Sequence, residues 1–137
     1  MDAPARILLA DDSSDNRFLI RAYLKNSPVE IVEAQNGQQA VDLYKTAPFD
    51  AVLMDIQMPV KDGYDATREI RAWESAHQRK TTPLIALTAF SLPEEIERCR
   101  EAGCTSTMIK PIRKQDLIMT LNRFFSRPKP SPTTELV

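Results

Sequence analysis

The chain has 137 residues, 42% of them hydrophobic and 27% charged, which is typical of one soluble globular domain with its own core. Its net charge of −1 at pH 7 gives no electrostatic reason to expect direct binding of nucleic acid or of a membrane surface. No apolar stretch has the length of a membrane span, and the N-terminus lacks the pattern of a signal peptide, so we expect a cytoplasmic protein.

Apolar runs of strand length alternate with amphipathic helical patterns along the chain. Strands are predicted at residues 6–10, 29–34, 51–54, 83–87 and 105–109. Helices are predicted at residues 15–26, 38–46, 64–77, from about 91 to 102, and at 114–125. This alternation is typical of an α/β fold with a parallel, doubly wound sheet. We predict one domain at residues 6–125, after a short extension (1–5) and before a proline-rich tail (126–137) that is expected to be a disordered end or a linker.

Two of these helices carry more specific expectations. In the third helix the apolar spacing directs Ile70 to the core and leaves Arg71 and Glu74 on the solvated side. The fourth helix is expected to have Ser91 as its N-terminal cap and Gly103 as its C-terminal cap. The two cysteines, at positions 99 and 104, are expected to be unpaired apolar residues rather than metal ligands.

Polar side chains follow four of the five predicted strands. Asp11 and Asp12 come after the first strand and Asp55 after the third, whereas Thr88 follows the fourth and Lys110 the fifth. In a doubly wound sheet these four strands can be neighbours, with the second strand at an edge, so that their carboxyl ends meet at one rim. Three carboxylates at one place repel each other, and a divalent cation resolves that repulsion. Ligand sets made of oxygen alone favour Mg²⁺.

The remaining two groups at this rim point to phosphoryl chemistry. Lys110 supplies a positive charge for anionic oxygens, and Thr88 supplies a hydroxyl donor. An aspartate carboxylate can act as a nucleophile, which makes Asp55 the best candidate to carry the phosphoryl group. Each residue alone is as easily explained as a cap, a loop residue or a solvated side chain. The prediction therefore rests on their joint occurrence.

These residues make the chain similar to the receiver domain of two-component response regulators over about residues 6–125. The resemblance rests on the following segments: Asp11-Asp12, Met54-Asp55-Ile56-Gln57-Met58-Pro59 with Asp62-Gly63, Leu87-Thr88-Ala89, and Lys110-Pro111. It implies a flavodoxin-like fold with strand order 2-1-3-4-5. The segments at residues 54–67 and 102–104 look most like receivers of hybrid sensor kinases. The chain could thus be a free-standing receiver or a module excised from such a kinase.

The resemblance also implies a phosphoryl donor and a metal. Asp55 would accept a phosphoryl group from a phosphohistidine on a sensor histidine kinase or on a histidine phosphotransfer protein. Mg²⁺, or Mn²⁺ in its place, would be held by Asp12, Asp55 and the main-chain carbonyl of Gln57. Asp11 would assist through water.

The resemblance further implies a switch. Thr88, Ala89 and Lys110 would bind the phosphoryl oxygens, and inward movement of the Thr88 hydroxyl would change the face formed by the fourth helix, fifth strand and fifth helix. A downstream protein would bind that face. Many receivers carry an aromatic residue three positions before the lysine, where this chain has Thr107. Coupling through an aromatic is therefore not expected; output would use other surfaces, or the domain would mainly relay the phosphoryl group.

Three other functions fit the pattern less well. A phosphatase with an aspartate nucleophile needs an acid two residues after it, where this chain has Gln57, so we predict no enzymatic turnover of phosphoesters. A flavin or nucleotide binder needs a glycine-rich loop where this chain has Asp11 and Asp12. A degenerate receiver used only for docking would not retain all five acceptor-site residues. His77 is expected to be solvated rather than phosphorylated.

Overall fold

The computed structural model describes residues 4–125, which form one parallel sheet with helices on both faces. The strands are β1 (Ala5–Ala10), β2 (Val29–Ala34), β3 (Ala51–Asp55), β4 (Leu84–Thr88) and β5 (Ser106–Ile109). The helices are α1 (Ser14–Tyr23), α2 (Gly37–Tyr44), α3 (Gly63–Ala76), α4 (Pro93–Ala102) and α5 (Lys114–Phe125).

The strand order is β2-β1-β3-β4-β5 and every pair is parallel, so the predicted fold class and order are confirmed. None of the helices in the described range is long and apolar enough to span a membrane. The predicted tail at residues 126–137 and the first three residues of the predicted extension lie outside that range.

The central strands are buried on both faces, which explains their nearly continuous apolar sequences. Along β3, Val52 and Met54 join a cluster that includes Ile70 of α3, whereas Leu53 joins a cluster on the opposite face. That second cluster contains Ile20 of α1 and Leu117 of α5. The helices thus pack against both faces of β3. This packing fixes the position of its last residue, Asp55, at the carboxyl edge of the sheet.

The start and the end of α4 differ in how well the sequence predicted them. Ser91 does not cap the helix: Leu92 occupies the N-cap position, and no side chain bonds there. The helix begins instead with a proline at its first position, where the missing N–H has no helical partner to lose. At the other end, the prediction for Gly103 is confirmed. Gly103 has φ 112°, and the following Cys104 N–H donates to the Cys99 carbonyl at 3.0 Å.

The prediction that Glu74 and Arg71 lie on the solvated side of α3 is wrong. Glu74 is 1% exposed and accepts hydrogen bonds from the Tyr44 hydroxyl, from the Thr82 amide at 3.0 Å and from Arg71 Nη1 at 2.9 Å. Arg71 is half-buried and also donates to the Gly103 carbonyl at 2.9 Å. Burial and the bond to Glu74 raise the pKa of Tyr44 to about 12. This network joins α2 and α3 to the connections that precede β4 and β5.

Candidate functional site

Three carboxylates meet at the carboxyl edge of the sheet. Ala10 of β1 pairs with Met54 of β3, so the residues that follow them, Asp11 and Asp55, lie side by side. Both are buried, at 0% and 4% exposure, whereas Asp12 is exposed. One carboxylate oxygen from each of the three lies within 4.8 Å of the others, a separation from which all three can bind one metal ion. The predicted convergence of these strand ends is therefore found in the structure.

Asp11 is held by the protein itself. Its Oδ1 accepts the Ser13 amide at 2.9 Å, and its Oδ2 lies 3.4 Å from the Asn16 side-chain amide and 3.6 Å from Lys110 Nζ. Ser13 also caps α1, because its hydroxyl accepts the Asn16 amide at 3.2 Å. With both of its oxygens engaged by protein donors, Asp11 is suited to orient the site. Asp12 faces solvent and is the better placed of the two for direct ligation.

Lys110 bridges the two buried carboxylates. Its Nζ lies 3.2 Å from Asp55 Oδ1, and its amide donates to the Thr88 carbonyl at 2.7 Å, which fixes the end of β5 beside β4. One ammonium group against three carboxylates leaves an excess of negative charge. Burial and the neighbouring Asp11 raise the pKa of Asp55 to about 6, although Lys110 and the Gln57 amide act to lower it. A divalent cation would remove this excess.

Thr88 and Ala89 lie on the opposite side of Asp55 from β1. Thr88 ends β4, is 3% exposed, and accepts the Phe90 amide on its hydroxyl at 3.1 Å. Ala89 is exposed at the start of the loop that leads to α4. Thr107 is half-buried on β5 and pairs with Ala86 in the sheet. It lines a surface groove of about 910 Å³ between β5 and α5.

The loop after Asp55 is held by glycines whose roles were not predicted. A Cβ on Gly63 would lie 2.3 Å from the Asp55 carbonyl oxygen, and one on Gly37 would lie 2.0 Å from the Lys61 carbonyl oxygen. Only glycine permits these two backbone contacts. Between them, Val60 has φ 69° and is 80% exposed. In the sequence, Gly37 and Gly63 are two of only three glycines, but their spacing does not show that each of them packs against a backbone carbonyl.

Three residues that the sequence singled out lie outside the acidic cluster. His77 is exposed at the end of α3, and its ring nitrogen lies 2.9 Å from the Trp73 carbonyl. The helix has 14 residues and starts beside Asp55, so His77 is about 20 Å away along its axis. Cys99 and Cys104 are both unpaired; the first is buried and the second half-buried.

Comparison with known proteins identifies the family. The family model described as "Response regulator receiver domain" matches residues 7–122. The chain is 40% identical to the two-component response regulator ORR41 of Oryza sativa subsp. japonica, over 87% of the chain and 93% of that protein. It is 33% identical to the sensor protein GacS of Pseudomonas syringae pv. syringae, over 95% of the chain but only 14% of GacS.

A solved structure gives the same result for the fold. The receiver domain of the sensor histidine kinase PA1611 of Pseudomonas aeruginosa PAO1, described with a magnesium ion in its active-site cleft, aligns with a TM-score of 0.81 at 38% identity. The alignment covers 91% of this chain and all of that domain (100%). Sequence and structure agree, and the chain belongs to the response regulator receiver domain family of two-component signalling.

Proposed function

We propose that Asp55 is the phosphoryl acceptor of this receiver. The observation that carries the proposal is its setting: a buried carboxylate at the end of β3, 3.2 Å from Lys110 and clustered with two further carboxylates. Asp11 is tied to its own loop and Asp12 is exposed, so neither combines nucleophile access with an ammonium partner in the same way. Asp55 is the only one of the three that stands beside both Lys110 and the Thr88 strand end.

The donor set fits magnesium. Asp12, Asp55 and the Gln57 main-chain carbonyl would supply oxygen ligands, with Asp11 acting through water. Neither histidine nor cysteine is among these residues, which disfavours softer metals. When bound, the cation would neutralise charge on the carboxylates and on the phosphoryl oxygens. Mn²⁺ prefers the same ligand chemistry and would substitute for it.

The chemistry proposed for the side chains is a single displacement. An Asp55 carboxylate oxygen attacks phosphorus, and the bond from phosphorus to the histidine nitrogen of the donor breaks as the new oxygen–phosphorus bond forms. Lys110 stabilises the charge on the transferred group. The Thr88 hydroxyl, whose oxygen accepts the Phe90 amide in this structure, donates its proton to a phosphoryl oxygen, and the amide of Ala89 can donate to the same group.

We propose that the phosphoryl group comes from a sensor histidine kinase or a histidine phosphotransfer protein. The phosphorylated domain would signal to a downstream protein through the face of α4, β5 and α5. Ile109 and Met119, which are 40% and 68% exposed on that face, offer apolar contacts. Support comes from the family membership and from relatives that are sensor kinases and a response regulator. The protein would act as a phosphoryl acceptor rather than as an enzyme, and a cytoplasmic location stays a prediction.

The proposal is tested by intact-mass spectrometry after incubation with acetyl phosphate and Mg²⁺. One added phosphoryl group is expected, absent in Asp55→Asn and absent in excess EDTA. Asp42→Asn, on the exposed surface of α2, is the matched control and should be phosphorylated like the wild type. Retention of the adduct in Asp55→Asn would refute the assignment. Sustained turnover of p-nitrophenyl phosphate would instead favour a phosphatase.

A further inference from the structure

Arg17, the fourth residue of α1, contacts the main chain of the acidic cluster but is not one of its carboxylates. Its Nη1 donates to the main-chain carbonyl of Asp11 at 2.7 Å, and its Nε donates to Glu33 Oε1 at 2.7 Å. The Arg17 side chain is only 12% exposed, much less than that of Arg21 on the same helix, which is 50% exposed. Arg17 therefore links the end of β1 to the edge strand β2 through a largely buried guanidinium group.

The carbonyl that Arg17 binds belongs to the peptide unit between Asp11 and Asp12. A peptide unit is planar, so fixing its carbonyl also fixes the amide and Cα of Asp12. Asp11 is 0% exposed, and a buried carbonyl without a donor is costly, so the unit would rotate if Arg17 were removed. The Asp11 carboxylate has an additional restraint from the Ser13 amide at 2.9 Å. The exposed Asp12 side chain instead takes its direction from the plane of the peptide unit between Asp11 and Asp12.

We infer that Arg17, held by Glu33, is a positioning residue for the metal site: it sets the orientation of Asp12 relative to Asp55. This inference rests on the proposed function, because it concerns the same cation. Glu33 pairs with Leu9 in the sheet register, so its position is fixed by β2. The planar guanidinium can donate in two directions at once, which a lysine ammonium on a flexible stem does with less directional control.

If Arg17 positions Asp12, its removal should change the Mg²⁺ affinity in the direction opposite to the one that charge alone predicts. Arg17 carries a positive charge near a cation site, so its removal should by charge alone strengthen Mg²⁺ binding. Loss of positioning should weaken it. Groups that orient metal ligands without touching the metal typically contribute about 10- to 100-fold in metal affinity. We therefore expect about tenfold weaker Mg²⁺ binding in Arg17→Gln. Arg17→Lys keeps the charge and should fall between that variant and the wild type.

The experiment is a Mg²⁺ titration of the full chain followed by amide NMR shifts, with urea unfolding in EDTA to verify that each variant is folded. Arg21→Gln is the matched control: Arg21 Nη1 lies 3.0 Å from Glu33 Oε2, but the residue does not contact Asp11. Its Mg²⁺ affinity should equal or slightly exceed that of the wild type. Ile20→Val, on the buried face of α1, controls for loss of stability and should leave the affinity unchanged.

A kinetic readout separates positioning from a general defect. In Arg17→Gln the Mg²⁺ concentration that gives half-maximal phosphorylation by acetyl phosphate should rise about tenfold, while the rate at saturating Mg²⁺ stays within about twofold of the wild type. Unchanged or tighter Mg²⁺ binding in this variant would overturn the inference. If instead the wild type shows no Mg²⁺ binding that depends on Asp12, it is the proposed function that fails.

Discussion

Replacing Asp55 by asparagine should stabilise the protein when no metal is present. In the metal-free state the Asp55 carboxylate is buried beside Asp11, and a single ammonium, that of Lys110, faces the two of them. Asparagine has nearly the same shape as a protonated aspartic acid and carries no charge. The variant therefore removes the charge repulsion while keeping the packing at the end of β3.

The size and sign of the effect follow from the pKa of Asp55, which is raised from 3.8 to about 6. A folded-state pKa above the unfolded value means that the folded protein holds the proton more tightly, so its stability falls as the pH rises from about 4 to about 6. The full difference corresponds to about 3 kcal/mol, and about half of it develops between pH 5 and pH 8. Asparagine does not ionise, so the variant lacks this loss of stability with rising pH.

The measurement is urea unfolding in EDTA at pH 5 and pH 8 for the wild type and for Asp55→Asn. The stability advantage of the variant should be about 1–2 kcal/mol larger at pH 8 than at pH 5. Saturating Mg²⁺ should stabilise the wild type and reduce this difference. A stability difference between variant and wild type that does not depend on pH, or a variant less stable than the wild type at pH 8, would show that the charge on Asp55 does not destabilise the folded protein.

Three further substitutions test the backbone and the core, each by urea unfolding. Gly63→Ala places a Cβ 2.3 Å from the Asp55 carbonyl oxygen and should cost about 1–3 kcal/mol; an effect below about 0.5 kcal/mol would contradict the close approach. Asn36→Ala removes the side-chain cap of α2 and should cost about 1 kcal/mol, whereas Ser91→Ala should change stability by less than about 0.5 kcal/mol, and equal losses would refute the cap assignment. Glu74→Ala leaves the half-buried Arg71 without its carboxylate partner and the Tyr44 hydroxyl without one of its acceptors, and should cost about 3–5 kcal/mol; a loss typical of a surface residue would refute the burial of Glu74.

The fold and the acidic cluster could be predicted because both depend on which residues end each strand. Strand-length apolar runs give the elements, and the parallel topology brings the ends of neighbouring strands to one edge. Asp11 and Asp55 are 44 positions apart in sequence and become neighbours for this reason alone. The error of one residue in the predicted end of β3 did not matter, since Asp55 lies at the edge whether it is the last strand residue or the first loop residue.

Residues that act across elements could not be predicted in the same way. Glu74 and Arg17 occupy polar positions in amphipathic helices, where a solvated side chain and a buried, fully bonded one give the same pattern. What distinguishes them is the partner, such as Tyr44 for Glu74 or the Asp11 carbonyl for Arg17. The prediction for Ser91 was wrong for a related reason: serine is a suitable cap residue, but the backbone starts the helix one residue later, so that Leu92 occupies the N-cap position.

The structure also bears on how a switch could work with Thr107 in place of an aromatic residue. The Thr88 hydroxyl accepts the amide of Phe90, so a Thr88 that turns toward the acceptor site gives up this bond to the segment at residues 89–92. That segment enters α4 at Leu92, where no side-chain cap holds the helix, and local opening is easiest where few bonds must break. The first element to respond to the proposed movement of Thr88 is therefore the start of α4, reached directly along the chain. Transmission by this route does not require a large side chain on β5.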